Sequence, residues 1–500
     1  MNRSKKAALN LLSQLILQLT TAVCGFIVPK LILESFGSDL NGLTTSISQF
    51  LGIISLMESG FGAVAKSAFY KSIAKKDNAS VSGVYNATES FFRKIAVVFL
   101  GYCAVLSLAF PFFREAEYGY FFVMSLVIII GMGSFVQYYF GMSYTILLNA
   151  DQKGYISTFL QIVSIVLNAL LTLLLLKCGA TIHIVKLVSA AVLFIRPVAL
   201  NLYCRKKYAI DRKVPQDLKS VSQKWDNFGQ SIALYVHTKT SYLIITFFLG
   251  FSAVSVYSVY SLVTTSLSAV ITGISTGFVA GLGNIYANHE EDNFRRVFGL
   301  YEFVNHFTSF VFYTIALITL IPFVRVYTAS LADKEAYILP VFGAILAIGE
   351  LIYCIRLPYY YMITNAGHFK QISKSAYIEA GMNIAVSLLL VFPLGLTGLA
   401  IGAGLAMTYR TFFLIRYCTK NITKMPLSVP AKRLSIFSLT AVLAVAIGSV
   451  IKYTPDNFAS WLIFACAVGL AVLFLFGLVS LVFFRDDIKT FLEKIKNVVK

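Results

Sequence analysis

Apolar runs of about 20 residues recur along almost the whole chain, separated by short polar or charged connections. A helix rises 1.5 Å per residue and the hydrocarbon core of a bilayer is about 30 Å thick, so each run is long enough to cross a membrane as one helix. Fourteen such runs are read, at approximately 8–33, 40–64, 91–112, 119–149, 155–177, 180–203, 228–250, 253–284, 301–325, 336–364, 371–393, 395–417, 433–452 and 458–484. The fold class expected is therefore all-α, a polytopic membrane protein of about 14 transmembrane helices.

The longest interruption is basic. Between Arg205 and Trp225 the chain reads RKKYAIDRKVPQDLKSVSQKW, with seven Lys and Arg against Asp211 and Asp217, and Pro215 breaks any continuous helix. Cations concentrate in connections on the cytoplasmic side, so this linker marks the inner face. With the N-terminus inside, the even-numbered connections carry Lys66, Lys71, Lys75, Lys76, Arg93 and Lys94, then the central linker, then Lys370 and Lys374, then Arg416, Lys420, Lys424, Lys432 and Arg433. The odd-numbered ones carry few. Both termini are then expected to be cytoplasmic. The connection His289 to Arg296 departs by being slightly acidic, but acidic residues weigh little in this rule. In the tail, Ile488, Phe491, Leu492, Ile495, Val498 and Val499 share one helical face with lysines off it, a pattern suited to a helix lying on the inner surface.

The two halves resemble each other. An offset of 213 sets Gly37 on Gly250, Gly60 on Gly273 and Val84 on Val297; with the offset drifting by one to three, Asn149-Ala150 meets Asn365-Ala366 and Asn168 meets Asn383. Arg196, Tyr203, Cys204 and Lys206 line up with Arg410, Tyr417, Cys418 and Lys420. Six spans per copy is an even number, so both copies enter from the same side, a parallel repeat with a substrate path expected between the halves near the midplane. The organisation read is 1–204 as an N-terminal six-helix repeat, 205–225 as a cytoplasmic linker, 226–420 as a C-terminal six-helix repeat, and 421–500 as two further spans with the amphipathic tail.

Composition agrees with a membrane protein: 58% of the 500 residues are hydrophobic and 13% charged, and mean hydropathy is +0.76, whereas globular chains are roughly 25% charged. The net charge of +19 sits in short loops rather than along one soluble face, which argues against nucleic acid as a partner. The first apolar segment runs to about Leu33, too long for a signal peptide, and is expected to remain as the first span. Seven cysteines, without CxxC spacing and mostly inside apolar runs, read as small core residues. No Walker loop, HExxH, metal-spaced cluster or nucleophile elbow is present, so nothing supports an enzyme or a bound cofactor.

Candidate chemistry lies in charges inside the spans, where each costs roughly 2.5–3.5 kcal/mol and therefore faces a partner or a wet cavity. Lys30 lies toward the outer end of span one, His237 and Lys239 are mid-span in span seven, and Arg356 is in span ten. These cations suit an anionic, phosphate-bearing substrate. Pairing of Arg356 with Glu350 and snorkelling of Lys30 are the competing structural readings. Glu58, Glu350 and Glu379 are candidates to carry a coupling ion, drawing on a proton or sodium gradient, because burial raises a carboxyl pKa toward neutrality. Glu379 shares a face with Asn383 and Ser387, which equally suits helix packing.

Arg356-Leu357-Pro358, Asn365 to Gln371, then Glu379, Asn383, Ser387, Gly395, Gly398, Gly402 and Tyr409-Arg410 resemble bacterial polysaccharide repeat-unit flippases, the O-antigen and capsule transporters of the multidrug/oligosaccharidyl-lipid/polysaccharide exporter superfamily. Gly37 to Gly62, with Gly42-Leu43, Ser48-Gln49-Phe50-Leu51 and Glu58-Ser59-Gly60, resembles their second span, and the six-plus-six-plus-two layout extends the similarity over essentially the whole length. Ser255, where the first copy has Gly42, is a small departure. The resemblance implies a polyprenyl-diphosphate-linked oligosaccharide as substrate, moved from the inner to the outer face of the bacterial cytoplasmic membrane by alternating access. Lys239, Arg356 and Lys30 would neutralise the diphosphate, with membrane lipids around them and a polysaccharide polymerase and glycosyltransferases as protein partners. The superfamily also contains drug/cation antiporters and the peptidoglycan-precursor flippase. Those activities, and a scaffold role in glycan assembly, stay open.

Overall fold

The computed structural model describes residues 3–74, 77–112, 118–218, 228–288, 290–331, 335–451 and 453–490. Within these ranges the side chains at 3–5, 7–8, 56–60, 63, 74, 228–234, 237, 280 and 287 are not described. Among the described residues every regular element is a helix. Packing groups the chain into two units, Met1–Ser255 and Val256–Lys500.

The first unit contains α1 (Arg3–Leu51), α2 (Ile54–Ala74), α3 (Asn78–Ala109), α4 (Tyr120–Val136), a π-helical turn at Gln137–Gly141, α5 (Met142–Ala150), α6 (Gly154–Lys177), α7 (Ile182–Val192), α8 (Ile195–Lys207), α9 (Phe228–Phe248) and the start of α10 (Phe251–Ala287). The second contains the rest of α10, α11 (Glu291–Thr328), α12 (Pro340–Ile355), α13 (Leu357–Asn365), α14 (Phe369–Cys418), a π-helical turn at Thr419–Thr423, α15 (Ser428–Val450) and α16 (Phe458–Phe483).

Eleven helical segments among the described residues are long and apolar enough to cross a membrane. Two of these, Leu9–Leu51 with 43 residues and Phe369–Thr423 with 55, are too long for a single crossing. Each is interrupted by one glycine in a non-helical conformation, Gly37 (φ 80°, ψ 177°) and Gly395 (φ 56°, ψ −133°). Dividing there, with α9 as a further crossing, makes the helical runs consistent with fourteen spans. At Gly395 the chain doubles back tightly. The Ser387 hydroxyl lies 3.4 Å from the Leu399 carbonyl, and a Cβ on Gly398 would stand 2.0 Å from the Leu390 carbonyl oxygen. Only a side chain of one hydrogen lets the two arms approach so closely.

Large apolar side chains lie exposed on the outside, including Val98 at 71%, Phe121 at 76%, Leu389 at 73% and Ile463 at 72%. Such a surface is stable against lipid and not against water. Inside, Leu43, Val84, Leu126, Leu147 and Leu200 are fully buried in the first unit; in the second, Phe437 packs against Phe303, Phe310, Phe476 and Phe484.

Some backbone features recur at the offset expected from the sequence. Seven described residues have positive φ, and six form pairs at the drifting offset: Gly37 with Gly250 (213), Gln152 with Gly367 (215), and Gly179 with Gly395 (216). The helix breaks correspond too, since the π-helical turn ending at Gly141 falls 215 positions before Arg356, where α12 gives way to α13. Within the first unit the second span also meets the start of the eighth through matched contacts. Asp39 and Ser252, equivalent at offset 213, are hydrogen-bonded to each other. Ser255 Oγ donates to the Ser38 carbonyl at 2.5 Å, while its equivalent Gly42 faces the Phe251 carbonyl so closely that a Cβ would lie 1.7 Å from the oxygen. The two equivalent positions thus make different contacts: Ser255 reaches across with its hydroxyl, whereas Gly42 lets the Phe251 backbone close in directly.

Three boundaries differ from the sequence reading. Span two continues through α2 to Ala74, so Lys66 and Lys71 lie on a helix rather than in a connection. Helix α3 begins at Asn78, thirteen residues before the apolar run at 91, because Asp77 caps it by accepting from the amides of Ala79 and Ser80. Helix α11 begins at Glu291 rather than 301. In each case the extra turns are polar, and hydropathy does not register them. Of the tail, residues 485–490 are helical and 491–500 lie outside the described residues.

Candidate functional site

The break between α12 and α13 places Arg356 at a helix junction, where Pro358 removes one backbone donor from the following turn. Its side chain turns inward onto Glu379 of α14. Arg356 Nη1 donates to Glu379 Oε1 at 2.6 Å, and Arg410 Nη1 donates to Oε2 at 2.5 Å; all three residues are 5% exposed or less. The Arg356 guanidinium also covers the Tyr353 ring, 4.6 Å from its centroid. One carboxylate between two guanidinium groups leaves the cluster one positive charge in excess. This corrects the pairing considered from sequence: Arg356 holds Glu379, while Glu350 accepts from Ser268 Oγ at 2.7 Å, with the Tyr313 hydroxyl 2.7 Å from the same serine. Arg356 and Glu379, read separately as substrate-binding and coupling residues, belong to one network.

Asn383 and Ser387, on the Glu379 face, are buried, and Ser387 Oγ donates to Asn383 Oδ1 at 3.1 Å. A Cβ on Gly402 would meet Ser387 Oγ at 2.5 Å. This face packs against the returning arm of α14.

In the first unit, Lys239 of α9 donates to Gln49 Oε1 of α1 at 2.6 Å and is partly buried. The Tyr235 hydroxyl, one turn earlier on α9, reaches the Gln49 carbonyl at 3.5 Å. Lys30 forms an i,i+4 ion pair with Glu34 at 3.6 Å and keeps about a quarter of its side chain exposed. The side chains of Glu58 and His237 lie outside the described residues.

A second buried network escaped the sequence reading. Glu302 of α11 accepts from the Tyr359 hydroxyl and from Arg433 of α15, and Arg433 Nη2 donates to Asp487 Oδ1 at 2.7 Å beyond α16. His306, one turn from Glu302 and fully buried, places Nε2 3.3 Å from the Ile355 carbonyl. Together these groups fasten the last two spans to the body of the second unit. Glu302, Asn305, His306 and Ser309 share a helical face, and that spacing was the available signal. With α11 read as starting at 301, Glu302 fell at a membrane edge; with three more turns before it, the carboxylate is interior.

The first-copy equivalent of Arg410 has a different setting. Arg196 donates to Ser157 Oγ at 2.9 Å and lines a cavity of about 270 Å³ together with Gln137, Thr145 and Gln161. Among the described residues no group of three His, Cys, Asp or Glu side chains is placed to hold a metal ion.

Comparison by sequence finds no matching family profile and no matching curated protein. Comparison of folds finds several solved structures. The chain is similar to the lipid II flippase MurJ in an inward closed conformation, with a TM-score of 0.72 over 95% of this chain and 99% of that one at 14% identity. It is also similar to the MATE multidrug transporter DinF-BH, with a TM-score of 0.62 over 84% and 96% at 16% identity. An inward-facing multidrug-resistance MATE transporter of the MOP superfamily gives 0.57 over 83% and 96% at 15% identity. At these identities the likeness concerns the fold alone, and by that measure this polytopic helical chain has a MurJ/MATE-like fold.

Proposed function

We propose that the chain is a flippase that moves polyprenyl-diphosphate-linked oligosaccharide repeat units from the inner to the outer face of the cytoplasmic membrane, by alternating access through a cationic cavity. The observation that carries this reading is the extent of the likeness to a flippase, which covers 95% of this chain, against 83–84% for the two MATE transporters named above. The chemistry of the spans supports it. A diphosphate with sugars attached cannot cross hydrocarbon unaided, and a path for it needs fixed cations at membrane depth. Lys239 and the Arg356–Glu379–Arg410 cluster, with its excess positive charge, supply them. In the proposed orientation both termini and the linker at 205–225 are cytoplasmic, and Lys30 lies toward the outer face. Of the two candidate carboxylates whose side chains are described, Glu350, held by Ser268, is the one proposed to take a coupling proton, since Glu379 is committed to two arginines.

The competing reading is an ion-coupled antiporter for small cationic drugs, which the MATE likeness favours. The test is accumulation of lipid-linked saccharide on the cytoplasmic face of a strain lacking this gene, complemented with wild type, Lys239→Ala or Arg356→Ala. Accumulation relieved by wild type and not by Lys239→Ala is expected; a strain that accumulates nothing shifts the assignment to the antiporter.

A further inference from the structure

Residues 211–217 of the basic linker are docked against α3, and where they dock they build a groove. The Asp211 amide donates to Ser82 Oγ at 3.1 Å, the Asp217 amide donates to the Gly83 carbonyl at 3.1 Å, and Asn86 Nδ2 donates to the carbonyls of Asp211 and Val214 at 3.1 and 2.9 Å. A Cβ on Gly83 would lie 3.1 Å from the Pro215 carbonyl oxygen, so the linker backbone lies directly on α3. This holds Arg212 over Glu89, with Nη2 3.3 Å from the carboxylate, while Arg93 reaches the same Oε1 from one turn along α3 at 3.1 Å. Lys94, exposed, completes the rim. The resulting open groove, about 360 Å³, is lined by Asn86, Glu89, Ser90, Arg93, Lys94, Arg212 and Gln216.

Arg93 and Arg212 meet there on a single carboxylate, and with Lys94 on the rim the groove carries two positive charges in excess. Arg93 is held rather than free to swing: its guanidinium covers the Tyr139 ring, 5.1 Å from the centroid, and its Nε is buried without a hydrogen-bond partner. Two guanidinium groups beside the Gln216 amide and the Ser90 hydroxyl supply the donors an oxyanion site needs. The same helix also says where the anion comes from. Immediately beyond Lys94, Val97 and Val98 are exposed at 58% and 71%, so lipid-facing surface begins one turn from the groove. The cations thus stand at the level of head groups.

We propose that this groove binds a phosphate anion presented by an anionic membrane lipid. It is separate from the transport reading and does not depend on it. The guanidinium groups of Arg93 and Arg212 grip the phosphate oxygens, Lys94 adds charge at the rim, and the acyl chains run along the Val97–Val98 face. A lipid held in this way would also pin the linker to α3.

The test is native mass spectrometry of the detergent-solubilised full-length protein, titrated with phosphatidylglycerol or phosphatidylcholine, with inorganic phosphate as competitor. Wild type is expected to retain phosphatidylglycerol preferentially. Arg93→Gln/Arg212→Gln should weaken that retention about tenfold or more, as loss of charge-assisted hydrogen bonds requires. Lys94→Glu touches neither bridge to Glu89 and should also weaken it, so the idea stays open to refutation if the double variant does not fold. Lys432→Gln, a basic residue elsewhere, should change nothing. Displacement by inorganic phosphate would support the anion site and move its source to solution; failure to displace would support the lipid. Equal retention of phosphatidylglycerol by wild type and Lys94→Glu, or no preference over phosphatidylcholine without competition by phosphate, overturns the proposal.

Discussion

Arg196 and Arg410 occupy the same place in the two copies of the repeat, yet their surroundings share little. Arg410 is locked with Arg356 on the two oxygens of Glu379. At the corresponding positions of the first copy, offset by 215, stand Gly141 in place of Arg356 and Ser164 in place of Glu379. Arg196 there donates to a serine and lines a polar cavity. The comparison teaches that positions matched by the offset can share backbone conformation, including left-handed turns, while their charge networks differ. Backbone conformation at a helix break is constrained by sterics at every copy, whereas a buried ion cluster can be rebuilt as long as its charges are compensated.

The largest effect should come from breaking that cluster. Glu379→Gln leaves two guanidinium groups buried together and is expected to cost about 3–5 kcal/mol, read as a lowered melting temperature in detergent. Arg196→Gln should cost markedly less. Similar losses from both would mean that the first copy hides an equivalent network.

Next is the matched contact between spans two and eight. Gly42→Ser copies the residue of the other repeat, but its Cβ would meet the Phe251 carbonyl at 1.7 Å, so a cost of about 1–3 kcal/mol or more is expected from overpacking. The reverse change, Ser255→Gly, loses the bonds to Ser38 and Asn41 and should cost about 1 kcal/mol. If Gly42→Ser melts like wild type, the approach of the two spans is looser than described.

A third pair exchanges the residues at one turn. Gln152 and Gly367 are both left-handed, at φ 55° and 76°, and a side chain there costs roughly 1–2 kcal/mol. Gln152→Gly should raise the melting temperature and Gly367→Gln lower it. Changes of the same sign would show that a neighbour, not φ, dominates at one of the turns.

The smallest effect concerns Asp151, next to the left-handed turn at Gln152. Burial pushes the Asp151 carboxyl up, but Lys153 at 2.6 Å, the Tyr208 hydroxyl and the charge of Lys6 outweigh it and hold the group below the usual aspartate range. A lowered folded-state pKa stabilises fully above the unfolded value of about 3.9 and is lost as pH falls through the folded value. Melting temperature should therefore drop below about pH 4 in wild type, with a shallower drop in Asp151→Asn. Identical profiles would remove Asp151 from the pH dependence.

Much of the fold was legible in the residues. The breaks at Gly37 and Gly395, the span edges after 154 and the hairpin arms at 371–393 and 395–417 follow from run length and glycine placement. The polar starts of α3 and α11 were not legible, because Asn78 to Ser90 and Glu291 to Leu300 carry no membrane-grade hydropathy; α3 starts at its Asp77 cap, and the first turns of α11 bury Phe294, Val297 and Phe298. The site was legible in its residues and not in its pairings. Arg356 and Glu379 were both marked as charges at membrane depth, but their union with Arg410, and the whole Glu302–Arg433–Asp487 network, were not.

The sequence by itself determined that the chain is a polytopic helical one and which glycines break its longest helices, because hydrophobic length and a glycine's conformational freedom are local properties of the chain. Tertiary structure alone decided which charge meets which. A carboxylate's partner depends on the rotation and approach of helices brought together from distant positions, and a change of a few ångströms separates an ion pair from a solvated or lipid-facing charge. For that reason Arg356 chose Glu379, 23 residues away, over Glu350, six residues away on the preceding turns.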